Sequence, residues 1–136
     1  MSEALRILLV DDEVPARERL REVLADCAQQ MPNVVVAEAA SGMQALGLIP
    51  DCGAQLALVD IHMPGMSGIE FARHLQVLEQ RPAVIFVTAH DQYAVQAFEV
   101  NAIDYLLKPV RAARLVAALA KFSRGGGPAR EQLGRA

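Results

Sequence analysis

Four apolar runs of strand length each end on a chemically loaded residue, and no other feature constrains the fold of this chain as much. Leu5-Arg6-Ile7-Leu8-Leu9-Val10 runs into Asp11 and Asp12, Leu56-Ala57-Leu58-Val59 into Asp60, Val84-Ile85-Phe86-Val87 into Thr88, and Tyr105-Leu106-Leu107 into Lys108. Strands buried on both faces read as near-continuous apolar runs, which is the situation inside a parallel sheet covered by helices. If each run is a strand of one such sheet, the tips deliver their charged residues to a single edge, where open α/β sheets bind ligands.

The segments between the runs carry helical period, so the chain reads as successive β-α units. A first helix is expected to start near Pro15, a good first-turn residue, with Ala16, Leu20, Val23, Leu24 and Cys27 inward and Arg17, Glu18, Arg21 and Glu22 left for water. Met31-Pro32-Asn33 should end that unit, and Val34-Val35-Val36-Ala37 supplies a β-branched second strand. Ser41 with Gln44, and Ser67 with Glu70, have capping-box spacing and are expected to open the second and third helices. Asp91 is placed to cap a fourth helix running to about Val100, and Val110 to begin a fifth with Ala112, Leu115, Val116 and Leu119 on one stripe. Five strands and five helices thus fill residues 5 to 122, and 136 residues suffice for one domain with a sizeable core. Residues 1–122 are read as that domain and 123–136, with Gly125-Gly126-Gly127-Pro128, as a flexible tail or the start of a linker.

In this order and at these spacings, the residues resemble the CheY-like receiver domain of bacterial response regulators from Leu5 to Phe122. The stretches from Phe86 through Ala94, Ala97-Phe98-Glu99 and Asp104-Tyr105-Leu106-Leu107-Lys108-Pro109 are similar to receivers of the AlgR/LytTR branch. The resemblance implies a flavodoxin-like, doubly wound, five-stranded parallel sheet of order 2-1-3-4-5 with five helices. It also implies a two-component phosphorelay, in which Asp60 is the phosphoacceptor for a phosphohistidine on a sensor histidine kinase.

By the same resemblance, Asp11, Asp12 and Asp60, with the main-chain carbonyl of His62, would hold Mg²⁺, with Mn²⁺ able to substitute. The physical need is plain: like charges ~4 Å apart repel by ~4 kcal/mol per pair at an effective dielectric of 20, so three carboxylates need a cation before a phosphoryl dianion can enter. Lys108 and Thr88 would each meet a phosphoryl oxygen, Tyr105 would be the switch aromatic that follows Thr88, and the Lys108–Pro109 bond would be cis. Glu13 reads equally well as a first-turn helix acid or as a neighbour of the metal ligands. His62 and His90 fall at positions that in this family influence the lifetime of the acyl phosphate; as a surface pair they would do nothing of the kind. Such a domain is not a turnover enzyme but catalyses its own phosphorylation and slow dephosphorylation.

Two other classes carry an aspartate or a phosphate site at comparable places. A haloacid-dehalogenase-like phosphatase needs an Asp-x-Asp after the first strand, and Asp11-Asp12-Glu13 lacks that form. A flavodoxin-type binding module would cradle a phosphate in the first loop, which an acidic loop repels. A pseudo-receiver that only binds partners is disfavoured by the presence of Asp11, Asp12, Asp60, Thr88 and Lys108 together.

A hydrophobic content of 53% with 21% charged residues suits a filled α/β interior. Net charge −3 gives no electrostatic reason for the domain itself to bind nucleic acid or an anionic membrane. Cys27 and Cys52 have no metal-ligand spacing, and no long apolar span interrupts the chain, so a reducing cytoplasm is expected. The branch usually continues into a DNA-binding domain, so the expected output is transcription, either through a segment beyond this chain or, alternatively, by protein contacts of a stand-alone receiver. The resemblance also supports a homodimer through the fourth helix, fifth strand and fifth helix, offering Val95, Gln96, Glu99, Asn101, Asp104, Arg111, Arg114 and Lys121, although the sequence alone does not select that face over the first helix.

Overall fold

The structure is a computed structural model describing residues 4–123. Five strands alternate with five helices: β1 Leu5–Val10, α1 Val14–Asp26, β2 Asn33–Ala39, α2 Gly42–Cys52, β3 Leu56–Val59, α3 Gly68–Gln76, β4 Ala83–Thr88, α4 Ala94–Glu99, β5 Asp104–Leu107 and α5 Ala112–Ser123. The strands form one parallel sheet of order β2-β1-β3-β4-β5, as the resemblance implies. Side chains of a strand alternate between faces, and the core divides accordingly. Ile7, Leu9, Leu58 and Ile85 meet Leu20, Val23 and Leu24 of α1 and Leu115 and Leu119 of α5. Leu8, Val10, Val59 and Phe86 meet Ala45 of α2, Phe71 and Leu75 of α3, and Ala97 of α4. Every residue of β3 and β4 is buried, which is why those runs carry no polar alternation.

Because all strands run the same way, their carboxyl ends share one edge, and the strand order reverses between β1 and β3. Asp11 and Asp60 follow those two strands directly, so they flank the crevice at the switch point. Register reinforces the placement: Val10 pairs with Val59 across the β1/β3 ladder, and the Asp60 amide donates to the Val10 carbonyl at 2.9 Å.

Several local expectations are corrected. Ser41 accepts from the Gln44 amide at 3.0 Å, but the Gln44 side chain returns to the amide of Ala40 rather than Ser41, so the box at α2 is displaced by one residue; at α3, Ser67 and Glu70 form the full reciprocal box. Asp91 does not cap α4. That helix opens after Tyr93, whose amide is taken by the Tyr105 hydroxyl at 3.1 Å, and it spans fewer than two turns. Val110 does not start α5 either: it is spent on the core, and the first α-helical bond runs from the Leu115 amide to the Arg111 carbonyl at 3.0 Å. Ser123, expected at the head of the tail, is the last residue of α5; the rest of that segment, 124–136, lies outside the described residues.

Charged residues expected to face water also pair across elements. Arg17 is half-buried and bonds Glu38 on β2. Asp104 is not a free surface acid: Arg114 grips it through two bonds of 2.9 Å and Lys121 through a third.

Candidate functional site

Among the described residues, the buried polar side chains are Asp11, Asp60 and Thr88, and all three stand at the carboxyl edge of the sheet. Burying such groups costs free energy unless each finds a partner. Asp11 Oδ1 accepts from the Glu13 amide at 3.0 Å, and Asp60 Oδ1 from the Ile61 amide at 2.8 Å. The remaining oxygens turn to Lys108, whose Nζ lies 3.0 Å from Asp11 Oδ2 and 3.5 Å from Asp60 Oδ2. Thr88 Oγ1 accepts from the His90 amide at 3.4 Å, a long bond that keeps the hydroxyl at the end of β4.

Asp12 completes the group. One carboxylate oxygen each from Asp11, Asp12 and Asp60 lies within 4.8 Å of the others, while Asp12 is the least buried of the three. A single ammonium against three carboxylates leaves the pocket strongly anionic, and charges this close repel by several kcal/mol per pair. Burial pushes the Asp60 carboxyl above its ordinary range; Lys108 opposes this and Asp11 adds to it. Lys108 would be pushed down by burial, yet the hydrogen bond to Asp11 and the charges of Asp60 and Asp11 hold it above its usual value. Three oxygen donors converging at the mouth of a crevice suit a small hard cation such as Mg²⁺ or Mn²⁺, which prefers carboxylates and water.

Backbone geometry at Gly68 sustains this corner. A β-carbon there would stand 2.2 Å from the Asp60 carbonyl oxygen and 2.9 Å from the Ile61 α-carbon, so only glycine lets α3 start against the chain that carries Asp60. The Lys108–Pro109 bond is cis, as the resemblance implies.

A second layer stands at the rim. His62 and His90 stack with ring centroids 3.9 Å apart and planes inclined by 20°. His62 Nε2 lies 2.6 Å from the Tyr93 hydroxyl. The Tyr105 hydroxyl donates to the His90 carbonyl and accepts from the Tyr93 amide at 3.1 Å, so Tyr105 is tied to the loop after Thr88 through that loop's backbone. His62, Tyr93 and Gln96 also border a cleft of about 670 Å³ that runs along α3.

Sequence reasoning missed Tyr93, Arg17 and Glu38. Tyr93 carried no signal beyond its neighbours. Arg17 did: it precedes Leu20, Leu24 and Cys27 at spacings of three, four and three, so a cation stood on the inward stripe of α1.

Comparison with known proteins agrees with this geometry. Residues 7–120 match the family model described as a response regulator receiver domain. The chain is 44% identical over 129 residues to the positive alginate biosynthesis regulatory protein of Pseudomonas aeruginosa, covering 95% of this chain and 50% of that one. It is 40% identical over 118 residues to the transcriptional regulatory protein BtsR of Escherichia coli, covering 87% and 48% respectively. Among solved structures it is similar to the signal receiver domain of the putative response regulator NarL from Mycobacterium tuberculosis, with a TM-score of 0.80, 32% identity, and 91% of this chain and 99% of that one covered. The chain therefore spans about half the length of these two curated relatives. On the sheet order, the edge cluster and these matches, the chain belongs to the response regulator receiver domain family.

Proposed function

We propose that this chain is the phosphoacceptor module of a two-component response regulator and that Asp60 carries the phosphoryl group. The observation that bears most weight is the convergence of the Asp11, Asp12 and Asp60 carboxylates with Lys108 Nζ between two of them. An Asp60 carboxylate oxygen attacks the phosphorus of a phosphohistidine on a sensor histidine kinase. A P–O bond forms, the P–N bond breaks, and its electron pair returns to the imidazole nitrogen. Asp11, Asp12, Asp60 and the main-chain carbonyl of His62 would hold Mg²⁺, or Mn²⁺ in its place, which when bound offsets negative charge on the transferred group. Lys108 and Thr88 would each meet a phosphoryl oxygen, one with a cation and one with a hydroxyl donor. Hydrolysis of the acyl phosphate returns the domain to its starting state, and His62 and His90, which stack on one another, would tune how readily water attacks.

The switch runs through Thr88 and Tyr105: a phosphoryl group that draws Thr88 inward moves the loop whose His90 carbonyl Tyr105 holds. The output face is the neighbouring α4, β5 and α5, where Val95, Phe98 and Leu107 expose apolar surface. A two-fold dimer through that face would cover them. Because the curated relatives are about twice as long, and one is named as a transcriptional regulator, the reading extends to control of transcription through a C-terminal DNA-binding domain, in the cytoplasm. The receiver itself, at net charge −3, would bind neither nucleic acid nor membrane.

Incubation with acetyl phosphate and Mg²⁺ tests the core of this reading. Intact-mass measurement should show one phosphoryl group per chain, lost when Mg²⁺ is chelated beforehand and absent from Asp60→Asn. The same adduct in Asp60→Asn would refute the assignment.

A further inference from the structure

Arg17 reaches from α1 to both the acidic loop and β2. Its Nε donates to Glu38 Oε1 at 2.9 Å, and its Nη1 donates to the main-chain carbonyl of Asp11 at 2.7 Å. The side chain is only 15% exposed, far less than a surface arginine on a solvated helix face. Arg21, one turn further along α1, donates to the other oxygen of Glu38, so that carboxylate is gripped from both sides. Burial pushes the Glu38 carboxyl up, but the hydrogen bonds from Arg17 and Arg21 outweigh it and hold the group below its ordinary value.

The consequence lies in Asp11. Its amide donates to the Ala39 carbonyl at 3.1 Å, and its carbonyl is taken by Arg17, which leans on Glu38. Both ends of the Asp11 backbone are therefore referred to adjacent residues of β2, one directly and one through a guanidinium. The Asp11 carbonyl belongs to the peptide that joins Asp11 to Asp12, so fixing it fixes that peptide plane and with it the direction from which Asp12 leaves the loop. Asp12 is the carboxylate with least support of its own, being the least buried of the three.

We propose that Arg17, backed by Glu38, is a positioning residue for the Asp11–Asp12 pair and sets the affinity of the acidic pocket for its divalent cation. This rests on the reading of Asp11, Asp12 and Asp60 as a cation site. Arginine is suited to the task because a planar fork can satisfy a carboxylate and a carbonyl at once, whereas a lysine ammonium on a flexible stem reaches one of them with less direction. Partners that orient metal ligands without touching the metal typically alter affinity by ~10-fold or more when removed.

Calorimetric titration of Mg²⁺ into the full chain, paired with thermal melting in the absence of divalent cation, separates positioning from plain support. Arg17→Ala should weaken Mg²⁺ binding about tenfold, Arg17→Lys should fall between it and wild type, and Glu38→Ala should weaken binding through the loss of Arg17's anchor. Arg21→Ala loses a contact to Glu38 but none to Asp11, so it should lower the melting temperature while keeping wild-type affinity. Unchanged Mg²⁺ affinity in Arg17→Ala overturns the inference, as does an equal loss in Arg17→Ala and Arg21→Ala, which would make the cluster a clasp between α1 and β2 and nothing more. Should Arg17→Ala fail to fold, Arg17→Lys and Glu38→Ala decide by the same criterion. Wild-type protein that binds no Mg²⁺ would instead refute the cation site itself, and this inference with it.

Discussion

Gly68 and Lys108 show how single residues hold the acidic corner in opposite ways, one by leaving space and one by filling it with charge. Since a β-carbon at position 68 would collide with backbone atoms of Asp60 and Ile61, relief requires moving α3 or the Asp60 segment. Gly68→Ala should therefore cost about 1–3 kcal/mol, the range of overpacked sites, read as a lower urea midpoint, with phosphorylation from acetyl phosphate slowed as well. A variant with wild-type stability would mean the segment yields freely. Lys108 draws on Asp11 and Asp60, two of the three carboxylates that would hold a cation. Lys108→Ala should accordingly bind Mg²⁺ at least as tightly as wild type by calorimetry, while Asp12→Ala should lose binding. A Lys108→Ala protein with no Mg²⁺ affinity would contradict the role of the lysine as counter-charge to the phosphoryl group.

The elements α4, β5 and α5 carry two further expectations, both shaped by a charge that sequence alone misjudged. Asp104 opens β5 and is held by Arg114 and Lys121 of α5, 10 and 17 positions away in sequence, so spacing within one helix or strand gave no hint of the pairing. Burial pushes its carboxyl up, but the hydrogen bonds from Arg114 and Lys121 prevail and lower it from 3.8 to about 2. A carboxylate depressed in the folded state stabilises the protein above its unfolded pKa and loses that contribution as pH falls through the folded one. Asp104→Asn should thus be less stable than wild type by about 1 kcal/mol at neutral pH, after allowing for the nearly half-exposed partners, and the gap should close between pH 4 and about 2 in urea titrations. A gap independent of pH would assign the loss to packing. With Arg114 committed inside the chain, charge reversal there would disturb β5 and α5 together, so the proposed dimer face is better tested through its apolar members. Phe98 is 82% and Val95 69% exposed on α4. Light scattering with Mg²⁺ and beryllofluoride should show monomer becoming dimer, and Phe98→Asp should abolish the shift. A dimer that forms without the phosphoryl mimic, or survives Phe98→Asp, would reject this face.

Across the whole molecule, what the sequence made legible follows from how far each cue reaches. Buried strands need apolar side chains on both faces, so β1, β3 and β4 could be read from short runs, and parallel strands then bring Asp11, Asp60, Thr88 and Lys108 to one edge without further information. Helix ends were less legible because backbone donors can be satisfied from afar: Tyr105 takes the amide at the start of α4, and Val110 is claimed by the core before α5 begins. The clasp of Arg17, Arg21 and Glu38 joins residues 17 to 21 positions apart, and only the packed sheet reveals that it leads to the acidic loop. Among the described residues no helix is long and apolar enough to cross a membrane. In the proposed function the sheet edge presents one carboxylate, Asp60, as the phosphoryl acceptor. The most direct test is to phosphorylate the protein with acetyl phosphate and Mg²⁺, reduce the acyl phosphate with borohydride, and locate the modified residue by peptide mass spectrometry. Homoserine is expected at position 60, with unmodified aspartate at positions 11 and 12; homoserine at either of those positions, or at none, would rule out Asp60 as the acceptor.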